Sequence, residues 1–207
     1  MAIQQQQLAL ERCPYCSVAK PQLSYRWEYN TAGHSGGNQR HWVLYCCVTC
    51  GGLVLTASKG VGPGPVTQMY PASRTVDESV PPKAYAYLTQ AIDSLNAPAG
   101  AIMLTASAVD AMLKAKSYKE GSLDSRIKKA AADPLITPEM EAWAHEVRLD
   151  ANDQRHADED AQLPKPTDAE RTLEFALALA EFLFVLPERV SRGRAATSSV
   201  LPVDARV

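Results

Sequence analysis

Leu23, Tyr25, Trp27 and Tyr29 alternate with Ser24, Arg26, Glu28 and Asn30, the two-residue period of a strand with one face buried. Thr31-Ala32-Gly33-His34-Ser35-Gly36-Gly37-Asn38 is turn chemistry, so a hairpin returning through Trp42 to Cys46 follows. A third strand is expected over Gly52 to Ala57, and the glycines and prolines of Gly60 to Pro65 open a linker. From Pro81 onward the apolar positions recur every three or four residues instead, the period of a helix. Tyr85, Leu88, Ile92 and Leu95 mark a first helix from Pro82 to Asn96, and an alanine-rich second runs from Ala99 to Ser117. Ser122 caps a third helix that Asp133-Pro134 stops, and Thr137-Pro138 opens a fourth containing Met140, Trp143, Ala144 and Val147. Thr167-Asp168-Ala169-Glu170 reads as the capping box of a fifth, with Leu173, Leu177, Ala180 and Phe184 on its apolar face and Pro187 at its end. The fold class is therefore α+β: a β unit over residues 1–60, a linker over 61–80, about five helices over 81–190 and a mobile tail over 191–207.

The cysteines sharpen the first unit. All five fall between positions 13 and 50 of the 207-residue chain, which excludes a disulfide framework spread over the fold. Cys13-Pro14-Tyr15-Cys16 and Cys47-Val48-Thr49-Cys50-Gly51 are two C-x-x-C knuckles separated by strand signals, the spacing of a zinc ribbon. Each two-residue spacer lets one tight turn present two sulfurs to the same ion, and Gly51 supplies the positive φ that folds the chain back under it. Cys13, Cys16, Cys47 and Cys50 are the expected ligands of one structural zinc, with Cys46 as the alternative to Cys47. Four protein sulfurs close the coordination sphere, which leaves no position for water or substrate.

A formal net charge of −2 excludes a global basic field, so any contact with nucleic acid must be local. Arg26, Arg40 and Trp42, with Trp27 and His41, are the candidates for a basic and aromatic face; the competing expectation places the tryptophans in the ribbon's core. No stretch approaches the length of a membrane span, and the N-terminus lacks the pattern of an export signal, so the expectation is a cytoplasmic protein without a membrane partner.

Arg148-Leu149-Asp150-Ala151-Asn152-Asp153-Gln154-Arg155-His156 resembles the Arg-x-x-Gly-Asn-x-x-x-His signature of the bacterial domain of unknown function 4145. Tyr70-Pro71, Val80-Pro81, the Gly121-x-Leu123-x-x-x-Ile127 stretch and the closing Phe184-Val185-Leu186-Pro187-Glu188-Arg189 extend the resemblance. It implies an all-α, HEPN-like domain that dimerises, and a setting such as bacterial or phage defence, with an N-terminal zinc ribbon as a common companion. Two functions follow from it. One is an interaction module that binds nucleic acid or a partner protein. The other is a metal-independent endoribonuclease whose composite dimer site uses Arg148, Asn152 and His156, an arginine to steady the phosphorane and a histidine to move the proton.

The chain departs from the family pattern at several places. Seven residues separate Arg148 from His156, more than between the arginine and histidine of active HEPN ribonucleases, and Ala151 stands where glycine is usual. Ala106 and Asp110 occupy positions where the family has arginine and glutamate, which weakens an expected ion pair. In purely structural roles, Arg148 would pair with Asp110 or Glu146, and Asn152 would cap its helix. The nearby carboxylates Asp150, Asp153, Asp158, Glu159 and Asp160 repel phosphate; the alternative expectation for them is a divalent-cation site.

Overall fold

The computed structural model describes the backbone of residues 2–156 and 162–198 and the side chains of residues 2–154 and 162–195. It divides into two units, Met1–Thr75 and Val76–Val207.

The first unit is a five-stranded antiparallel sheet in sequence order: β1 (Gln7–Leu8), β2 (Leu23–Thr31), β3 (Arg40–Cys47), β4 (Leu53–Lys59) and β5 (Gln68–Tyr70). β5 lies inside the stretch expected to be a linker; Met69 pairs with Thr56 and Tyr70 with Leu55, so the chain returns to the sheet after its glycine-rich turn. Leu8, Leu23, Val43, Tyr45, Cys47 and Val54 form the core on one face of the sheet. Burying each of the larger aliphatic side chains contributes about 1.5–3 kcal/mol. Gln4 closes the same face from the N-terminus. Its amide Nε2 donates to the carbonyls of His41 (3.1 Å) and Thr56 (3.3 Å) and to Thr56 Oγ1 (3.1 Å), so a fully buried amide has its partners.

The alternation in β2 does not hold along its length. Tyr25 pairs with Tyr45, yet Trp27 pairs with Leu44, so a bulge at Arg26 inserts one extra residue into β2. Leu23 and Tyr25 therefore face the core, whereas Trp27 and Tyr29 turn to the opposite face. The expectation that all four share one buried face, and that the tryptophans form the core, is overturned: Trp27 and Tyr29 are 52% and 59% exposed.

The second unit is helical. α2 (Pro98–Ala115) is central and packs against α1 (Pro82–Asp93), α3 (Leu123–Ala132), α4 (Pro138–His156) and α5 (Pro166–Ala180). Ala101, Ala108 and Ala111 of α2 are buried, and these small side chains allow the close approach that Leu88, Ile102, Val109, Met112, Leu173 and Phe175 fill. Ser122 caps α3, accepting a hydrogen bond from Ser125 N–H at 3.2 Å. The start of α5 differs from the expected box. Pro166 takes the first helical position and the carboxylate of Asp168 accepts from Lys165 N–H at 2.8 Å, so Asp168 rather than Glu170 closes the cap.

Pro187 does not end the fifth helix. A π-helical segment, Glu181–Val185, follows α5 and runs directly into α6 (Leu186–Ser198). The π segment changes the hydrogen-bond register, so Pro187 falls in the first turn of α6, where an N–H is not required. Residues 191–198 of the expected tail are thus helical, and residues 199–207 lie outside the described residues. Among the described residues, no helix is long and apolar enough to cross a membrane.

Candidate metal centre and nucleic-acid interface

The two knuckles have the same backbone design. Ser17 N–H donates to Cys13 O (3.0 Å), as Gly51 N–H does to Cys47 O (2.8 Å). Cys13 N–H then donates to Val18 O (3.0 Å), as Cys47 N–H does to Gly52 O (2.9 Å). Each knuckle closes on a residue with positive φ, Gly51 at 74° in the second and Ser17 at 56° in the first. Glycine bears this without steric cost; serine occupies it less readily, and nothing in the sequence marked Ser17 for that role.

This backbone brings the Sγ atoms of Cys13, Cys16, Cys47 and Cys50 within 4.8 Å of one another, with Cys13 and Cys50 3.9 Å apart. A tetrahedron with metal–sulfur bonds of about 2.3 Å has sulfur–sulfur edges of roughly 3.8 Å, so the four sulfurs fit such an ion. All five cysteines are free thiols, and a disulfide would need sulfurs at about 2.05 Å. Cys46 is set apart because successive strand residues alternate faces. Its Sγ contacts Cys47 O and Gly51 O at 3.7 and 3.6 Å, outside the cluster.

The thiols compete for their protons in the absence of a cation. Burial and the neighbouring thiols push Cys50 up to about 12, against the opposing N–H of Gly52. Burial raises Cys47 too, but the N–H groups of Cys50 and Thr49 and the adjacent thiols outweigh it and bring Cys47 down to about 7. A bound dication would relieve this competition by stabilising all four thiolates.

On the sheet's other face, the register forms cross-strand rows. Trp27, Leu44, Leu55 and Tyr70 make the first; Tyr29, Trp42, Ala57 and Gln68 the second; Thr31, Arg40 and Lys59 the third. Trp27 stacks on Tyr29 with ring centroids 5.5 Å apart and planes 8° from parallel, and Trp42 stacks on Tyr70 at 6.5 Å. Trp42 Nε1 donates to Thr31 Oγ1 at 2.9 Å, which fixes the indole. Of the expected basic and aromatic residues, Arg40 and Trp42 lie on this face, while Arg26 is exposed at the bulge. His41 does not belong with them. It is buried on the core face, where Nδ1 hydrogen-bonds Asn30 Oδ1 at 2.8 Å and Nε2 lies 3.5 Å from Glu28. Lys59 and Tyr70 were missing from the expected face because neither lies on the two strands that alternation defined.

In the helical unit, Arg148 is half-buried, and its Nε lies 3.5 Å from Asp124 Oδ1. Its partner is thus Asp124 of α3, not Asp110 or Glu146. Asp124 also receives Lys128 Nζ at 2.8 Å and lies 3.4 Å from His145 Nδ1. The Lys128 hydrogen bond, then the charges of Lys128, Arg148 and His145, hold its carboxyl below the usual carboxylate range. His145 was not singled out from the sequence, although it sits three residues before Arg148 on the same helical face. Asn152 is exposed on α4. The backbone of His156 ends that helix, but its side chain and residues 157–161, with Asp158, Glu159 and Asp160, lie outside the described residues. One continuous helix separates the backbones of Arg148 and His156 by about 12 Å along its axis.

Asp110 draws its cation from α3. Arg126 Nε donates to Asp110 Oδ1 at 2.8 Å, and the same guanidinium donates to the carbonyls of Lys119 (3.3 Å) and Gly121. The ion pair expected to suffer from alanine at position 106 is therefore made by Arg126 instead.

The family model described as Domain of unknown function (DUF4145) matches residues 89–196, all of them in the helical unit. No curated protein and no solved structure matches the chain.

Proposed function

We propose, on the footing that the chain belongs to the Domain of unknown function (DUF4145) family, that it is a non-enzymatic interaction module which binds nucleic acid through its metal-braced sheet. The observation that carries this reading is the open face: exposed stacked aromatics beside Arg40 and Lys59, with no carboxylate at any strand position of its three rows. Arg40 and Lys59 stand directly opposite each other, a like-charge pair that costs the fold stability and is relieved by a bound phosphate. Glu28, the acid of β2, points to the other face.

The metal in this reading is zinc, one ion held by Cys13, Cys16, Cys47 and Cys50. Four soft sulfurs in a tetrahedron suit it, and a saturated ion braces the sheet rather than reacting. The helical unit is read as HEPN-like and as the dimerising half. A cytoplasmic location and a role in bacterial or phage defence follow from family resemblance alone. The ribonuclease alternative draws less support, since Arg148 is engaged by Asp124.

The test is salt-dependent binding of mixed single- and double-stranded nucleic acid to the full chain. Replacing Arg40 and Lys59 by alanine should reduce the magnitude of the slope of log K against log salt by about 1.4–1.8, the loss of two phosphate contacts. A slope and affinity unchanged in the double variant would remove the basis for the proposal.

A further inference from the structure

We infer that the open face of the sheet takes a single strand, its bases stacked on the Trp27–Tyr29 and Trp42–Tyr70 pairs and its phosphates held along the Arg40–Lys59 row. This rests on the nucleic-acid reading above and adds the state of the nucleic acid that the face selects.

The layout carries it. Trp27 and Tyr70 close the two ends of the first row, three strand intervals apart, about 14 Å across the sheet. Tyr29 and Trp42 stand beside each other in the second row, and the cations lie one row further, about 7 Å along the strands. That step is on the scale of a single extended nucleotide, so bases over the aromatic rows leave their backbone near Arg40 and Lys59. Trp27, Tyr29 and Tyr70 are each more than half exposed, although rings of this size are usually buried for much of their surface.

Leu44 and Leu55 lie between Trp27 and Tyr70, so the floor of the row is apolar and offers base edges few hydrogen bonds. Recognition by stacking and backbone charge is sequence-tolerant for that reason. A duplex presents these ring faces with nothing to stack on, because its bases already stack on one another. Charge also discriminates between occupants. A peptide strand has no regular negative charge to meet the Arg40–Lys59 pair, whereas a polynucleotide has one at every residue.

The experiment uses the full chain with its metal and three fluorescent probes: oligothymidylate and oligouridylate of about fifteen nucleotides, and a hairpin duplex of matching length. Both single strands are expected to outbind the duplex by tenfold or more. Trp27→Ala combined with Trp42→Ala should weaken single-strand binding by roughly tenfold or more, and Trp27→Phe with Trp42→Phe should restore most of it. The two single strands differ in both the 2′-hydroxyl and the C5 methyl of the base, so either order of preference between them is compatible with stacking and supports the proposal. Metal content and circular dichroism check that each variant folds; if the alanine pair does not fold, Tyr29→Ala with Tyr70→Ala serves instead. Equal or tighter binding of the duplex overturns the single-strand inference while leaving the nucleic-acid reading standing. Binding of none of the probes overturns both, as does self-association through this face without oligonucleotide binding.

Discussion

Replacing Arg126 by methionine is expected to destabilise the helical unit by about 2 kcal/mol. Arg126 is 8% exposed, and it joins α3 to α2 through Asp110 and to the preceding loop through the carbonyls of Lys119 and Gly121. Removing one member of a fully buried ion pair costs about 3–5 kcal/mol because the other charge is stranded. Asp110 would not be stranded completely. Its side chain is 22% accessible and keeps Lys114 Nζ at 2.5 Å one helical turn away, which brings the expected loss to the lower figure. Urea unfolding followed by far-ultraviolet circular dichroism reads the helical unit selectively, and the midpoint should fall with an unchanged slope. In a thermal scan the same loss corresponds to a drop of roughly 6–10 °C. A double-mutant cycle with Asp110→Asn should show a coupling of about 1–2 kcal/mol between the two sites. A loss below about 0.5 kcal/mol for Arg126→Met, or strict additivity in the cycle, would refute the assignment of this pair as the link between α2 and α3.

Elemental analysis should find one zinc per chain in the wild type and in Cys46→Ser, and almost none in Cys47→Ser, whose sheet also loses its thermal transition; metal lost from the Cys46 variant instead would reverse the ligand assignment. The Asp124 carboxylate is held below its ordinary value of 3.8 by Lys128, Arg148 and His145, so its contribution to stability is present above that pH and lost as the pH falls through the lower folded value. Asp124→Asn should therefore lower the melting temperature at neutral pH, with the difference from wild type vanishing in strong acid; a difference that persists there would show that the carboxylate's charge is not what matters.

Much of this architecture was legible in the residues themselves. Four cysteines at the knuckle spacing and Gly51 at a position of positive φ lead to the sulfur cluster because short turns tolerate few alternatives. Helix boundaries were readable where a cap or a proline acts alone, as at Ser122 and Pro138. What could not be read is non-local. The bulge at Arg26 is marked by no glycine, and it reverses the faces of Trp27 and Tyr29 relative to a regular strand. Strand β5 is too short to show alternation, and its place is set by pairing with β4 and by the Trp42–Tyr70 stack. Pro187 is a helix stop in any local reading, and only the π segment before it explains why the helix continues. The partnership of Asp110 with Arg126 joins residues sixteen positions apart on different helices, so no helical spacing reveals it. For the aromatic face the consequence is direct: the sequence suggests its components, but the register decides that they share one exposed surface.

The most direct test of the nucleic-acid interface uses the protein's own tryptophans. Of the three tryptophans, Trp143 alone belongs to the helical unit, packed on Phe175 at 5.0 Å, so Trp143→Phe leaves Trp27 and Trp42 as the sole indole reporters. Titrating that variant with oligothymidylate should quench its emission saturably, and added salt should reverse the quenching. Emission that stays constant while an independent probe shows the oligonucleotide bound would place the interface elsewhere and contradict the account.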